Sequence, residues 1–266
     1  HHASIIDACR LSGADVAVYR HSDMLDLDRK ISENPGRRGI IVSDGVFSMD
    51  GDIADLPGLT DLADKYGLLS MIDEAHATGV IGETGRGTEE YYGMEGKTDV
   101  LMGTFSKAVG SEGGFVCGSS VLIRYLLNKS RSFIFSTALS PASVAASIAG
   151  LSRIEEQPVR VKRLQDNVRY FCRALQKRGI RAKSGTAVIP VIIGDEKTAA
   201  EIMEELKRSG YYVSAIRYPT VARGSARLRI SLMSSHTKED LDGLADVLAD
   251  CMKRRNLQTG NGGVKE

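Results

Sequence analysis

The chain has 266 residues, of which 42% are hydrophobic and 26% are charged. The balance of 35 basic against 34 acidic residues gives no reason to expect nucleic acid or an anionic membrane as a partner. No apolar run approaches the roughly 20 residues of a membrane-spanning helix, and no signal peptide is visible, so we expect a cytoplasmic globular protein with room for two domains.

The chain opens on His1-His2-Ala3-Ser4 without an initiator methionine. We therefore expect the N-terminal part of a longer protein to be absent, although two histidines could also be the remainder of a tag. The four cysteines are scattered and form no C-x-x-C pair, which favours buried free thiols over a zinc site or a disulfide framework.

The first half of the chain alternates short apolar runs with amphipathic segments. The runs predict strands over residues 14–19, 39–43, 68–72, 100–104 and 115–117, and helices over residues 25–34 and 56–66. This alternation is typical of an α/β fold with a largely parallel sheet and helices on both faces. In such sheets ligands collect at the carboxyl ends of the strands, where both Asp73 and Thr104 stand.

The pattern changes after Pro141. Helices are predicted over residues 159–179 and 198–209, strands over residues 187–193, 211–216 and 226–232, and a last helix that begins at Thr237. This order predicts a large domain over residues 1–152 and a smaller α+β domain over residues 153–255. The polar, glycine-rich residues 256–266 are expected to form a disordered tail.

Asp73 and Lys107 are the pair that most directly suggests chemistry. A lysine after a strand, framed by Thr104 and Ser106, can form a Schiff base, although most lysines are simply solvated. A carboxylate after a buried strand needs a partner or a shifted pKa, and a pyridinium N–H would be such a partner. The alternative for Asp73 is a cap of the following turn. Together the two residues indicate a site for a pyridine aldehyde.

His76 and Ser48 are further candidates near strand ends. His76 could contact a ring hydroxyl or a substrate carboxylate, or could be a turn histidine. Its spacing from Asp73 also fits metal ligands, but no third ligand stands nearby, so we expect no metal. Ser48 lies in a loop that Asp50-Gly51 alone could explain as a turn. The glycine-rich residues 110–114 lack the helix that a dinucleotide fingerprint requires.

Arg227 and Arg229 share one face of a predicted strand. One of them could bind a substrate carboxylate through two parallel hydrogen bonds, or both could line a solvated face. The hydroxyl residues Ser136, Thr137 and Thr220 stand near predicted turns. Each could reach a phosphate or cap a helix.

Several of these segments, in this order, resemble the α-oxoamine synthase family of fold-type-I pyridoxal-phosphate (PLP) enzymes. The resemblance runs from His2 to about Met252. Six segments carry it: residues 2–4, 44–52, 73–79, 103–107, 135–137 and 216–232. It implies the PLP-dependent transferase fold of type I, with a partial large domain and a small C-terminal domain.

The resemblance also implies a role for each matched residue in cofactor binding. His2 would stack on the PLP ring, and Ser48 and His76 would contact the ring or its hydroxyl group. Asp73 would pair with the ring nitrogen, and Lys107 would bond covalently to the aldehyde. Asp73, His76 and Lys107 would therefore be the catalytic residues.

The remaining matched residues would bind phosphate and substrate. Thr104 would hold the cofactor phosphate, and Ser136 and Thr137 would reach the phosphate of a neighbouring subunit. Arg229 would receive the amino-acid carboxylate, and Thr220 would line that pocket. The family forms homodimers with sites at the subunit interface, so we expect a homodimer.

The implied reaction is the decarboxylative condensation of an amino acid with an acyl thioester in biotin biosynthesis. L-Alanine and a pimeloyl thioester, on coenzyme A or a carrier protein, are the expected substrates. Enzymes that use glycine with acetyl-CoA, or serine with palmitoyl-CoA, are the nearest alternatives. A non-catalytic subunit would be expected to lack Lys107. A fragment that binds the cofactor without turnover is a further alternative.

Overall fold

The structure, a computed structural model, describes residues 1–257. The chain forms two compact units: unit 1 is His1–Phe47 with Ile53–Pro158, and unit 2 is Ser48–Asp52 with the residues from Val159 onward. The predicted boundary at residue 152 falls within a helix of unit 1 and stays a prediction. The predicted tail lies outside the described residues, apart from Asn256 and Leu257.

Unit 1 is built on a four-stranded sheet in the order β1-β2-β3-β4. Its strands are β1 (Ile40–Asp44), β2 (Leu69–Asp73), β3 (Val100–Thr104) and β4 (Gly114–Gly118). The first three strands are parallel and β4 is antiparallel to β3. The carboxyl ends of β1, β2 and β3 therefore meet at one edge of the sheet, as the sequence predicted.

Seven helices accompany this sheet within the described part of unit 1. They are α1 (Ala3–Ser12), α2 (Met24–Ser32), α3 (Leu56–Tyr66), α4 (Thr88–Tyr92), α5 (Ser120–Lys129), α6 (Arg131–Ile134) and α7 (Pro141–Glu156). The predicted end of α3 is confirmed, because Gly67 follows it in the left-handed region at φ 63°. Leu56 and Leu59 of α3 pack with Ile72 of β2 in the core, which holds β2 rigidly.

Two expectations from the sequence are wrong. Residues 14–19 form no strand: their apolar Val16 and Val18 are 55% and 77% exposed, and no strand of the described sheets pairs with them. The cysteines are free, but they are not all buried. Cys117 is exposed on β4, whereas Cys251 is buried.

Unit 2 contains a three-stranded antiparallel sheet in the order β5-β7-β6. The strands are β5 (Val188–Gly194), β6 (Ser214–Ile216) and β7 (Ala226–Ser231). The helices of its described part are α8 (Val159–Lys177), α9 (Glu196–Arg208) and α10 (Lys238–Arg254). The Thr237 cap is confirmed, because its side chain accepts the Asp240 amide and Asp240 bonds back to the Thr237 amide.

The segment Ser48–Asp52 packs with unit 2 although it is distant in sequence. Thr186 Oγ1 donates to Gly51 O at 3.0 Å, and Gly51 lies so close to β5 that a Cβ there would be 2.1 Å from Val188 O. Gly51 also has φ 68°, in the left-handed region. A residue with a side chain would therefore not fit at this position, which fixes the loop on the sheet.

Candidate active site

Asp73 is the last residue of β2 and stands in the middle of the strand edge. It lies opposite Asp44 of β1 on one side and Met102 of β3 on the other. Only 5% of Asp73 is exposed, and its Oδ1 accepts the amide of Ala75 at 2.8 Å. The sheet thus holds one carboxylate in a buried position at the end where ligands of parallel sheets bind.

The charges around Asp73 identify its neighbours. Burial raises the pKa of the Asp73 carboxyl above its ordinary value and the Ala75 amide lowers it; the Asp44 carboxylate raises it, and Lys107 and His2 lower it. Lys107 and His2 therefore lie close enough to Asp73 to affect its pKa. Because burial is the largest effect and raises the pKa of Asp73, a cationic N–H from a ligand would stabilise the buried carboxylate.

Lys107 lies in the turn that follows β3. The Phe105 amide donates to Gly113 O at 2.9 Å and the Gly110 amide donates to Lys107 O at 3.0 Å, so the turn closes a hairpin onto β4. The predicted absence of a helix after residues 110–114 is confirmed, because β4 follows. The Lys107 side chain is exposed, which leaves it accessible to an aldehyde.

Hydroxyl groups gather at the start of the same turn. Thr104 Oγ1 donates to Gly113 O at 3.0 Å, lies 2.8 Å from Ser106 Oγ and accepts the Ser106 amide at 3.1 Å. Thr104 is half-buried and Ser106 is exposed. Because the Thr104 hydrogen is given to Gly113 O, Thr104 would have to release that bond to donate to a phosphate oxygen, whereas the exposed Ser106 hydroxyl can turn toward one.

The two candidate histidines lie in unit 1 at helix or turn starts. His76 is half-buried in the turn after β2, where the amides of Ala77 and Thr78 both donate to Glu74 O at 2.9 Å. His2 is the N-cap of α1: its Nδ1 accepts the Ser4 amide at 3.3 Å. This capping hydrogen bond orients the exposed His2 ring relative to α1.

Ser48 and Arg229 are brought together in unit 2. Arg229 Nε donates to the backbone oxygen of Ser48 at 2.6 Å, and burial lowers the pKa of the half-buried Arg229 guanidinium. Arg227, the other arginine of β7, is 8% exposed and pairs with Asp50. The alternative of a solvated strand face is wrong for Arg227, which is buried and pairs with Asp50 of the 48–52 loop.

The remaining candidates lie on the surface. Thr220 is exposed in a turn in which its amide donates to Arg217 O at 2.9 Å. Ser136 and Thr137 are exposed after α6, and Ser136 Oγ donates to Ser132 O. Their assignment to a substrate pocket and a neighbouring subunit stays a prediction.

The sequence reasoning missed Asp44 and Glu74. Asp44 ends β1 as Asp73 ends β2, and its Oδ2 lies 3.0 Å from His1 Nδ1. The signal was present, since both strands end in a carboxylate. Glu74 follows Asp73 directly and is 3% exposed. Two consecutive acidic residues are rarely both buried, and the sequence alone does not show that these two are.

A family model for class I and II aminotransferases matches residues 1–248 of the chain. Among curated proteins, an 8-amino-7-oxononanoate synthase of Lysinibacillus sphaericus is 50% identical over 243 residues, 91% of this chain and 62% of that protein. The 8-amino-7-oxononanoate synthase of Thermoanaerobacter pseudethanolicus is 46% identical over 259 residues, 96% of this chain and 66% of that protein. The chain thus spans less than two thirds of either relative.

Solved structures share the fold. A serine palmitoyltransferase from S. paucimobilis superposes with a TM-score of 0.92 at 31% identity, over 97% of this chain and 66% of that one. An 8-amino-7-oxononanoate synthase from Francisella tularensis gives a TM-score of 0.82 at 28% identity, over 96% of this chain and 74% of that one. The fold and the family resemblance inferred from the sequence are confirmed. The chain belongs to the aminotransferase class I and II family.

Proposed function

We propose that this chain carries the catalytic residues of a PLP-dependent 8-amino-7-oxononanoate synthase. Such an enzyme condenses L-alanine with a pimeloyl thioester and releases carbon dioxide and free thiol. The observation that carries the proposal is the buried carboxylate of Asp73 at a strand end, with the charge of Lys107 acting on it. Relatives named 8-amino-7-oxononanoate synthase support the choice of reaction, at 46% and 50% identity.

The residues present fit PLP. Asp73 is buried with a pKa that burial raises, so an N–H cation against it would offset the cost of burying the carboxylate. Lys107 lies exposed in the turn after β3, and the Ser106 hydroxyl, with that of Thr104 once it leaves Gly113 O, would donate to a phosphate. Serine palmitoyltransferase structures solved with PLP share this fold, which supports the same cofactor here.

The chain's own side chains then divide the work. When bound, PLP supplies a ring that can accept electrons from the α-carbon of an amino acid. Asp73 holds the ring N–H, and His76 holds the ring hydroxyl. Lys107 Nζ takes the α-proton and later returns a proton to the product carbon. Arg229 orients the amino-acid carboxylate through its planar fork.

The assembly belongs to the proposal as well. We propose a homodimer in which Ser136 and Thr137 contact the phosphate of the neighbouring subunit, His2 stacks on the ring and Thr220 lines the carboxylate pocket. Ser48 keeps its proposed contact with the PLP ring or its hydroxyl group, and within unit 2 its backbone oxygen accepts the Arg229 Nε hydrogen. Within residues 1–257 no helix is long and apolar enough to span a bilayer, and we propose a cytoplasmic enzyme.

A substrate matrix tests the reaction. Alanine, glycine or serine, each labelled with carbon-13 at the carboxyl carbon, is offered with pimeloyl, acetyl or palmitoyl thioesters. Labelled carbon dioxide and an equivalent of free thiol are expected from alanine with the pimeloyl thioester alone. Turnover with glycine and the acetyl thioester would assign a glycine C-acetyltransferase instead. Turnover with serine and the palmitoyl thioester would assign a serine palmitoyltransferase, and binding of PLP without turnover would contradict the catalytic assignment.

A further inference from the structure

Glu74 is a buried carboxyl group next to Asp73, and the proposed mechanism gives it no role. It is 3% exposed, and its side-chain oxygens accept the amide of Thr88, at 3.2 Å for Oε1 and 2.9 Å for Oε2. Thr88 is the first residue of α4 and is fully buried. The side chain therefore links the end of β2 to the start of the helix that follows the loop.

Two glycines provide the space for this link. A Cβ at Gly87 would lie 1.9 Å from Glu74 Oε2, and a Cβ at Gly45 would lie 3.1 Å from Oε1 and 2.2 Å from Thr88 Oγ1. Gly87 also has φ 99°, in the left-handed region. The loop after β1 and the loop before α4 both approach the Glu74 carboxyl group by backbone alone, which is how buried carboxyl groups obtain backbone donors.

The backbone of Glu74 organises the residues on either side. Its amide donates to Met102 O of β3 at 2.6 Å, and its carbonyl accepts the amides of Ala77 and Thr78 at 2.9 Å each. These bonds close the turn that carries His76 and fix the peptide that follows Asp73. A shift of Glu74 would therefore move both proposed cofactor contacts.

We propose that Glu74 is a positioning residue, whose carboxyl group ties the Gly87–Thr88 segment to the end of β2 and so fixes Asp73 and His76 for the cofactor. The effect on PLP binding rests on the proposed function, whereas the link between Glu74 and Thr88 does not. It follows that reach matters and charge does not: any side chain that spans the distance and accepts the Thr88 amide should serve.

Charge and reach can be separated by substitution. Glu74→Gln keeps the length and one acceptor oxygen but removes the charge, whereas Glu74→Asp keeps the charge and shortens the side chain by one methylene. The matched control is Glu90→Gln, because Glu90 accepts the amides of Thr84 and Arg86 in the same loop at 3.1 Å and 2.9 Å but does not bond Thr88. Each variant is checked for folding by circular dichroism.

Two readouts decide the matter. In Glu74→Asp the buried hydrogen bond to Thr88 is lost. The PLP dissociation constant should therefore rise about tenfold or more, and amide exchange at Thr88 should become faster by a similar factor. Glu74→Gln and Glu90→Gln should keep the PLP dissociation constant within about threefold of that of the unsubstituted protein, and neither should speed amide exchange at Thr88 by more than about threefold. The reverse order, with Asp tolerated and Gln not, or equal losses in Glu74→Asp and Glu90→Gln, would overturn the proposal.

The experiment separates this inference from the function on which it rests. If the unsubstituted protein binds no PLP, the proposed function fails, and the exchange rate at Thr88 still tests the link to β2. If the unsubstituted protein binds PLP and all variants bind it equally, the positioning role fails alone.

Discussion

Burial of Glu74 predicts an unusual dependence of stability on pH. Burial raises the pKa of Glu74 from 4.5 to about 7; hydrogen bonds from Thr88 lower it, and the carboxylates of Glu89 and Asp73 raise it further. Between these two pH values the folded chain holds a proton that the unfolded chain releases. Stability from this group is therefore complete below pH 4.5 and is lost as the pH rises through about 7.

The expected magnitude is large. Each pKa unit corresponds to about 1.4 kcal/mol, so a rise from 4.5 to about 7 is a change of roughly 3 kcal/mol in the free energy of unfolding. Glu74→Gln cannot titrate and should remove this change while it keeps the Thr88 hydrogen bond. Relative to the unsubstituted protein, the variant should gain stability steadily from pH 4.5 to pH 8, by about 3 kcal/mol in total.

The assay is urea unfolding at several pH values in this range. Unfolding is monitored by hydrogen exchange of the peptide that contains β2, so that the stability of unit 1 is measured by itself. Glu90→Gln supplies a control of opposite sign. Although burial raises the pKa of Glu90, hydrogen bonds from Thr84 and Arg86 leave it below its ordinary value. The contribution of Glu90 to stability is therefore present above the pKa that Glu90 has in the unfolded chain, and it is lost as the pH falls through its lower pKa in the folded chain. Parallel pH profiles for the unsubstituted protein and Glu74→Gln would refute the reasoning.

Three further changes test the site and the core. Asp73→Asn removes the anion expected to hold the ring nitrogen, so the PLP dissociation constant measured by equilibrium dialysis should rise about a hundredfold, whereas an unchanged constant would contradict the assignment. Arg229→Gln should raise the KM for the amino acid about tenfold or more and leave that for the thioester unchanged; equal changes in both would argue against carboxylate binding. Phe171→Ala empties a fully buried position on α8 and should lower the free energy of unfolding of unit 2 by about 3–5 kcal/mol, which urea unfolding would measure.

Strand ends were the part of the fold and site most accessible to sequence reasoning. The apolar residues 68–72 and 100–104 predict their strands nearly to the residue, since strands buried on both faces leave continuous apolar runs. Because parallel strands end at one edge, the pattern alone predicts that Asp73 lies near the turn of Lys107. The charge of Lys107 at Asp73 agrees with that expectation.

The failures have local causes. Val16 and Val18 alternate as a strand should, yet both are exposed, so the alternation reflects no buried face. Helix α5 was not predicted either, and none of its residues is buried in the described structure.

Long-range packing accounts for the rest. Nothing near Ser48 in the sequence indicates that its backbone accepts a hydrogen bond from Arg229, nor that Asp50 pairs with Arg227. The burial of Glu74 likewise depends on two glycines in separate loops. Such contacts are set by where distant elements come together, and local pattern carries no information about them.

Covalent capture at Lys107 tests the central claim most directly. The protein is mixed with PLP, reduced with borohydride, digested and examined by mass spectrometry, alongside Lys107→Ala. The account predicts a pyridoxyl group on the peptide that contains Lys107, an absorbance band in the visible region before reduction, and the loss of both in the variant. A label on a different lysine, or equal labelling and absorbance in Lys107→Ala, would contradict it.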